Sequence, residues 1–246
     1  MDKYPGLSLS VKDGITLITL NRPAKKNSLT QEPSQTVCAT PGTGDYYCSG
    51  NDLSNFIKGA QGGDIPTMAA QSGKLLQKYI DSYIDFPKPL IVGINGHAIG
   101  ISVTVLGLCD LVFSSDQATF HTPFSSLGQA PEGCSSLLFR RLMGSKANRM
   151  LMLNYKMKAK EAYECGLVSE LLPHDNFASE FAQRLQQIAQ LPAESLRCAK
   201  RPAQELEKEL LHKINAKECE QLVERWQSDD CMAALAKFFQ RSKSNL

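Results

Sequence analysis

One glutamate and two glycine-containing turns are the residues of this chain whose types and spacing could do chemistry. Glu132 stands in the motif Ala-Pro-Glu-Gly, within a stretch over residues 87–136 that holds few other carboxylates. The turns are Ser-Gly-Asn-Asp at 49–52 and Gly100-Ile101. Two backbone N–H groups fixed in such turns can stabilise negative charge on an oxygen. One carboxylate can take a proton from carbon and return it at a second position.

Regular elements must hold these groups in place. Apolar runs separated by turn residues predict alternating strands and helices between residues 87 and 142. The predicted elements are a buried strand at 90–94, an apolar helix at 99–108, a strand at 110–114 and a helix at 134–142. Glu132 directly precedes the last of these helices, and a structural interpretation would place it in that helix's first turn. A glutamate is favoured there by the helix dipole alone, so its position does not require a catalytic role.

The remainder of the chain predicts a hairpin at the start and helices at the end. Apolar runs at 7–11 and 15–20 flank Asp13-Gly14, a tight-turn signal. Apolar spacing then predicts a helix at 68–86, a helix pair at 146–157 and 159–166, and a short strand at 168–172. The last predicted elements are helices at 177–191, 192–212 and 213–241.

Length and composition suit one globular domain, alone or with an appendage. The chain has 246 residues, 42% of them hydrophobic, and a net charge of +2 from 27 basic and 25 acidic side chains. No long single-sign run occurs, which argues against nucleic acid or a membrane surface as the main partner. No apolar run approaches the roughly 20 residues of a spanning helix. The eight cysteines and four histidines are scattered, so we expect reduced thiols and no metal site.

Taken in order, Cys48-Ser49-Gly50-Asn51-Asp52-Leu53 and the stretch 87–136 resemble the crotonase (enoyl-CoA hydratase/isomerase) family. Within it, the chain is most similar to the peroxisomal Δ3,Δ2-enoyl-CoA isomerase branch. The resemblance implies an α/β fold with a crotonase-type β-β-α spiral core over residues 1–190. It further implies a C-terminal helical trimerisation region over 191–246, and hence a homotrimer.

The same resemblance implies a reaction. The branch isomerises 3-cis- or 3-trans-enoyl-CoA to 2-trans-enoyl-CoA in the β-oxidation of unsaturated fatty acids. Its substrate is an acyl-CoA, and no cofactor is implied because coenzyme A arrives on the substrate. Glu132 matches the position of the branch's glutamate, which acts as base and acid. Thr104 and Phe124 stand where hydratases of the family carry their two glutamates, which favours isomerisation over hydration.

The oxyanion hole and the substrate-binding residues are also carried over from the family. By resemblance, the N–H groups of Asn51 and Ile101 form the oxyanion hole. The other predicted substrate-binding residues are Ser49, Gly50, Asp52, Leu53 and Gly100 around the thioester, and Lys25 and Lys26 near the nucleotide. A solvated basic turn is an equally good interpretation of the two lysines.

Apolar neighbours and two histidines bear on which group is the base. We expect Phe120, Phe124 and Leu127 to surround Glu132 with apolar surface, which would raise its pKa. His97 and His121 flank the same turns and are weaker candidates. Histidines that are packed or bonded to backbone are commoner than catalytic ones.

The segment 30–43 departs from the family pattern. Family members place an amphipathic helix and a buried strand at this point, whereas this segment contains two prolines and few large apolar residues. It therefore predicts a loop and an internal deletion. Because a missing core strand would leave backbone groups unpaired, a second hypothesis stays open. The chain would then be a non-catalytic acyl-CoA-binding protein or subunit partner.

The last three residues, Ser244-Asn245-Leu246, are a degenerate version of the peroxisomal address Ser-Lys-Leu. An arbitrary polar tail would look the same. Together with the resemblance, the tripeptide favours the peroxisome as the location, with the mitochondrion as the alternative.

Overall fold

The fold is that of a computed structural model, which describes residues 7–12, 15–28, 39–40, 42–53 and 64–244. Strands and helices alternate along this part of the chain. The strands are β1 (Leu7–Lys12), β2 (Ile15–Leu20), β3 (Ala39–Thr40), β4 (Tyr46–Cys48), β5 (Ile91–Ile94), β6 (His97–Ile99), β7 (Leu111–Ser115), β8 (Thr119–His121), β9 (Met157–Lys158) and β10 (Glu170–Leu172). The helices are α1 (Ile65–Ile84), α2 (Ile101–Thr104), α3 (Ser135–Met143), α4 (Lys146–Leu151), α5 (Ala159–Glu164), α6 (Phe177–Ala189), α7 (Ala193–Trp226) and α8 (Asp229–Ser244).

The strands form three small sheets that the chain visits in turn. β1 and β2 make the predicted antiparallel hairpin. β5 and β7 pair in parallel in one sheet, while β6 and β8, which directly follow them, pair in parallel in another. Each passage of the chain therefore adds one strand to each of these two sheets. This is the arrangement of a β-β spiral with helices outside it.

Two large apolar clusters hold the spiral and the helices together. The first fills the space around β5 to β8, with Phe120, Phe139 and Ile94 fully buried. The second joins α1 and α2 to α7 and α8 and includes Ile80, Leu222 and Trp226. Burying such side chains contributes about 1.5–3 kcal/mol each. The second cluster ties the C-terminal helices to the elements that carry the predicted turns.

Several predicted element boundaries are wrong for identifiable reasons. The predicted helix at 99–108 is only one α-helical turn, α2, followed by a 3₁₀ segment. The helix predicted at 146–157 ends at Leu151, because Asn154 adopts a left-handed conformation that no α-helix can include. The two helices predicted at 192–212 and 213–241 are instead α7 and α8. No glycine or proline interrupts the chain near residue 212, so α7 continues to Trp226.

The segment 30–43 is described only in part. β3 pairs in parallel with β2, opposing Ala39 to Ile18, so the prediction of a loop is wrong for these two residues. Most of the segment lies outside the described residues, and so does the predicted deletion. The hairpin residues Asp13 and Gly14 and the terminal Asn245 and Leu246 lie outside them too.

The described residues hold no candidate membrane span, disulfide or metal cluster. No helix among them is long and apolar enough to cross a membrane. Seven of the eight cysteines are described, and each of these is unpaired. Over the same part of the chain, no group of three His, Cys, Asp or Glu side chains could hold a metal ion.

Candidate active site

The two predicted glycine turns meet at one edge of a sheet. β4 and β6 pair in parallel, with Cys48 opposite Ala98, so the turns that follow them leave the sheet on the same side. Gly50 has φ +82° and Gly100 has φ +65°, conformations that favour glycine. A β-carbon on Gly50 would lie 2.7 Å from the Ile99 carbonyl oxygen and 3.7 Å from the Gly100 α-carbon. The two turns touch, and glycine at position 50 makes that contact possible.

The two predicted N–H donors follow these glycines. Ile101 is the first residue of α2, so its N–H has no acceptor inside the helix. The N–H of Gly100 donates to the His121 carbonyl oxygen at 2.8 Å, which fixes the turn before it. Asn51 is exposed and directly follows Gly50. The sequence-predicted donors are therefore brought together as the backbone of two adjoining turns.

Ser102 links the turns and was not a sequence-predicted site residue. Its buried hydroxyl lies 3.1 Å from the Cys48 carbonyl oxygen and 3.0 Å from that of Ile99, and it accepts the Ile99 N–H at 3.0 Å. A single side chain thus contacts the ends of both β4 and β6. The available sequence signal was a serine directly after Gly100-Ile101 in an otherwise apolar run.

Glu132 lies close to the same short helix. Its neighbour Gly133 has φ +67°, and a β-carbon there would lie 2.7 Å from the Thr104 hydroxyl oxygen. Thr104 ends the helix that Ile101 begins. Glu132 does not lie in the first turn of a helix, which the structural interpretation requires, because α3 begins three residues later at Ser135. The helix dipole is therefore not the reason for its position.

Burial controls the acidity of Glu132. The residue is 4% exposed, and within the part of the chain that the structure describes no donor hydrogen bonds to its carboxyl group. Burial, and then the negative charge of Glu218, raises the pKa of Glu132 to about 8. The predicted raised pKa is confirmed in direction. Phe120, Phe124 and Leu127 are all buried in the adjoining clusters.

Glu218 is the second buried carboxylate of this region, and sequence analysis missed it. It lies on α7, is 3% exposed, and accepts the N–H of Cys134 at 2.7 Å and of Ser136 at 2.9 Å. Burial raises its own pKa. In the sequence it sits among Lys217, Cys219 and Glu220 on a charged helix. No local pattern distinguishes it from a solvent-exposed glutamate.

Comparison with known proteins shows the family of the chain. The family described as enoyl-CoA hydratase/isomerase matches residues 31–246. The chain belongs to this family. A crystal structure of an enoyl-CoA hydratase/isomerase from Pseudoalteromonas atlantica T6c has a TM-score of 0.82 at 26% identity, covering 96% of this chain and 97% of that one. The predicted crotonase-type fold is confirmed.

Among the relatives of this chain are proteins with isomerase names. "Enoyl-CoA delta isomerase 2" of Homo sapiens is 45% identical over 99% of this chain and 65% of its own length. "Enoyl-CoA delta isomerase 3, peroxisomal" of Mus musculus is 42% identical over 96% of this chain and 78% of its own length. The chain thus spans slightly less than two thirds of the human relative.

The residues that stand where hydratases carry acids cannot act as bases, and the two candidate histidines have hydrogen-bond partners. Thr104 and Phe124, which the resemblance matches to the hydratase glutamates, are buried and not acidic, and the Thr104 hydroxyl donates to the Ile101 carbonyl oxygen. The His97 ring lies 2.8 Å from the Thr119 hydroxyl, and that of His121 lies 3.1 Å from the Asn154 carbonyl oxygen. Burial lowers the pKa of both histidines.

The basic turn of this family member lies beside the Ser49 turn. The Lys26 carbonyl oxygen accepts the Ser49 N–H at 3.0 Å. The Lys26 ammonium lies 4.9 Å from the centre of the Tyr46 ring. Lys25 and Lys26 are both exposed. Buried Asn27 anchors the turn by donating to the Tyr46 carbonyl oxygen at 2.9 Å. Both lysines are thus available to an anionic ligand near the site.

The last two predicted substrate-binding residues, Asp52 and Leu53, are half-buried. Leu53 packs against the cluster that contains Ile101 and Cys134. That cluster connects the helix after the Gly100 turn to the segment that follows Glu132.

Proposed function

We propose that this chain isomerises 3-cis- or 3-trans-enoyl-CoA to 2-trans-enoyl-CoA in the breakdown of unsaturated fatty acids. The observation that carries the proposal is Glu132, a buried carboxyl group with a pKa near 8, whose neighbour Gly133 packs against the short helix that begins after the Gly100 turn. The names of the human and mouse relatives support it.

The mechanism needs one carboxylate and two backbone donors. Ionised Glu132 removes a proton from C2 of the acyl thioester, and the electron pair moves onto the thioester oxygen to give a dienolate. The N–H groups of Asn51 and Ile101 stabilise that oxygen, each worth about 10²–10³ in rate. Protonated Glu132 then delivers the proton to C4, the C2–C3 double bond forms, and the carboxylate is regenerated.

The residues around the site favour this reaction over hydration. Water addition generally uses two carboxylates to hold and activate water, and the two matching positions carry Thr104 and Phe124. Glu218 is buried, but its oxygens accept the N–H groups of Cys134 and Ser136. We therefore assign the proton transfers to Glu132 alone.

The proposal is tested by mixing the purified protein with a trans-3-enoyl-CoA. We expect ultraviolet absorbance from the conjugated 2-enoyl thioester to grow, and chromatography to identify 2-trans-enoyl-CoA as the product. With 2-trans-enoyl-CoA as the substrate, formation of 3-hydroxyacyl-CoA by a protein that leaves the 3-enoyl ester unchanged would indicate hydration instead of isomerisation. Tight binding of the CoA ester by folded protein without turnover would favour the non-catalytic binding hypothesis.

The raised pKa of Glu132 predicts the pH dependence of the reaction. The base must be ionised in the free enzyme, so kcat/KM should rise with pH and level off above a pKa near 8. Below this value we expect about a tenfold change per pH unit. The measurement is the initial rate at low substrate concentration between about pH 6 and pH 9. A flat profile over this range would show that Glu132 is not the titrating base.

We also propose that residues 191–246 assemble the chain into a homotrimer in the peroxisome. The exposed apolar side chains of α7 support assembly, since Leu206 is 85% exposed and Leu210 is 40% exposed. The name of the mouse relative supports the location. Light scattering should give a mass of three times 27.0 kDa, and a monomer mass at micromolar concentration would contradict the assembly.

A further inference from the structure

Glu218 accepts hydrogen bonds from the backbone that follows Glu132 and Gly133. Its Oε2 accepts the Cys134 N–H at 2.7 Å and its Oε1 accepts the Ser136 N–H at 2.9 Å. Between them, the Ser135 hydroxyl donates to the Glu132 carbonyl oxygen at 2.6 Å. Three consecutive residues after Gly133 are therefore tied either to Glu218 or back to Glu132. The direction in which the chain leaves Glu132 depends on these bonds.

This backbone would be hard to hold without a partner. Gly133 has φ +67° and Cys134 has φ +57°, so two consecutive residues adopt left-handed conformations, which are unfavourable for cysteine. The N–H groups of Cys134 and Ser136 lie at the start of α3 and have no acceptor inside the helix. A buried carboxylate that accepts both of them compensates for these costs.

The surroundings of the two carboxyl groups are poor in compensating charge. Among the described residues, the other titratable side chains of this region are Tyr79 and Asp81 on α1, Cys219 on α7, and Cys134 just before α3. Asp81 is bonded to His212 at 2.7 Å and to Asn215 at 2.9 Å. Its charge is therefore partly balanced, whereas no cation bonds to Glu132 or Glu218 within the described part of the chain.

We propose that Glu218 is a positioning residue for Glu132, because it holds the turn that carries the base and places a second negative charge near it. The catalytic part of this proposal rests on the proposed function. Two buried carboxyl groups of like charge disfavour each other's ionisation. Accordingly, burial and the Glu218 charge raise the pKa of Glu132. A stronger base removes a carbon-bound proton more readily once it is ionised.

Two substitutions separate the charge of Glu218 from its hydrogen bonds. Glu218→Gln removes the charge and keeps one acceptor oxygen. The acid limb of the pH profile, in which kcat/KM rises with pH, should therefore move to lower pH by about one unit. Glu218→Asp keeps the charge but shortens the side chain, so the limb should stay in place while kcat falls by about ten- to a hundredfold. Asp81→Asn is the matched control, and we expect it to leave the limb unmoved.

A spectroscopic titration tests the proposal without activity. In protein labelled with ¹³C at the glutamate side-chain carboxyl carbon, the Glu132 signal is the one lost in Glu132→Gln. We expect it to titrate near pH 8 in the wild type and at lower pH in Glu218→Gln.

The outcomes distinguish this proposal from the proposed function. Unchanged Glu132 titration in folded Glu218→Gln would overturn the proposal, even if the wild type isomerises its substrate. If Glu218→Gln does not fold, Glu218→Asp replaces it, and an unchanged kcat together with an unchanged Glu132 carboxyl signal in that variant would overturn the proposal instead. Coupled titrations in a protein without isomerase activity would support the electrostatic pairing and refute the proposed function.

Discussion

Replacing Glu132 by glutamine should reduce kcat for 3-enoyl-CoA isomerisation by about 10²- to 10⁴-fold. The amide cannot accept a proton from C2, and neither Thr104 nor Phe124 can take over. Because the raised pKa keeps much of Glu132 neutral near pH 7, the uncharged amide should fit the buried site without unfolding it. The measurement is the rate of conjugated thioester formation, together with the melting temperature of the variant.

Glu132→Asp is the control for this result. It keeps the acid but withdraws it by one methylene group, so we expect partial activity with an acid limb still present in the pH profile. CoA-ester affinity should stay within a few-fold of the wild type in both variants, since the binding residues are unchanged. A glutamine variant that retains more than a tenth of the wild-type kcat would mean that another group is the base.

Gly50→Ala should reduce kcat by about 10²- to 10³-fold, as expected for loss of one oxyanion-hole donor. The new β-carbon would lie 2.7 Å from the Ile99 carbonyl oxygen, at a position with φ +82°. The turn would have to move away from the Gly100 turn, and the N–H of Asn51 would move with it. The same assay and a binding measurement with a CoA ester would show whether kcat falls more than affinity.

Gly166→Ala provides a matched control for backbone strain. Gly166 has φ +83°, nearly the value of Gly50, but a β-carbon there meets no atom within 4 Å. Both variants take the same conformational cost, of about 1–2 kcal/mol, and only one of them clashes at the site. Equal losses of kcat in the two variants would attribute the effect of Gly50→Ala to strain, not to the oxyanion hole.

The parts of the site that sequence could predict are those encoded by local residues. The glycine turns at 49–52 and 100–101 and the Pro-Glu-Gly step are each weak signals alone, but their joint order and spacing carry the family resemblance that assigned them roles. Ser102 and Glu218 act by contacting backbone that is distant in sequence. No periodicity or propensity specifies such contacts in advance.

The strands and helices also divide into those that local residues predict and those that depend on distant contacts. The hairpin of β1 and β2 and the buried strands β5 and β7 have long enough apolar runs to predict. β6, β8 and β9 are three residues or fewer, too short for a pattern, and they form because neighbouring strands supply hydrogen-bond partners. The division of the C-terminal helices was wrong because favourable helix formers run uninterrupted past residue 212.

Burying two carboxyl groups has a consequence for the stability of the fold as well as for the chemistry. A carboxyl group whose pKa is raised on folding holds its proton more tightly in the native protein than in the unfolded chain. The free energy of unfolding therefore falls as pH rises from about 4.5 towards 8, for Glu132 by several kcal/mol. That is a substantial share of the roughly 5–15 kcal/mol of a typical domain. This contribution of Glu132 to stability is thus lost in the pH range in which the proposed base is active, and bound acyl-CoA would add stability there by mass action.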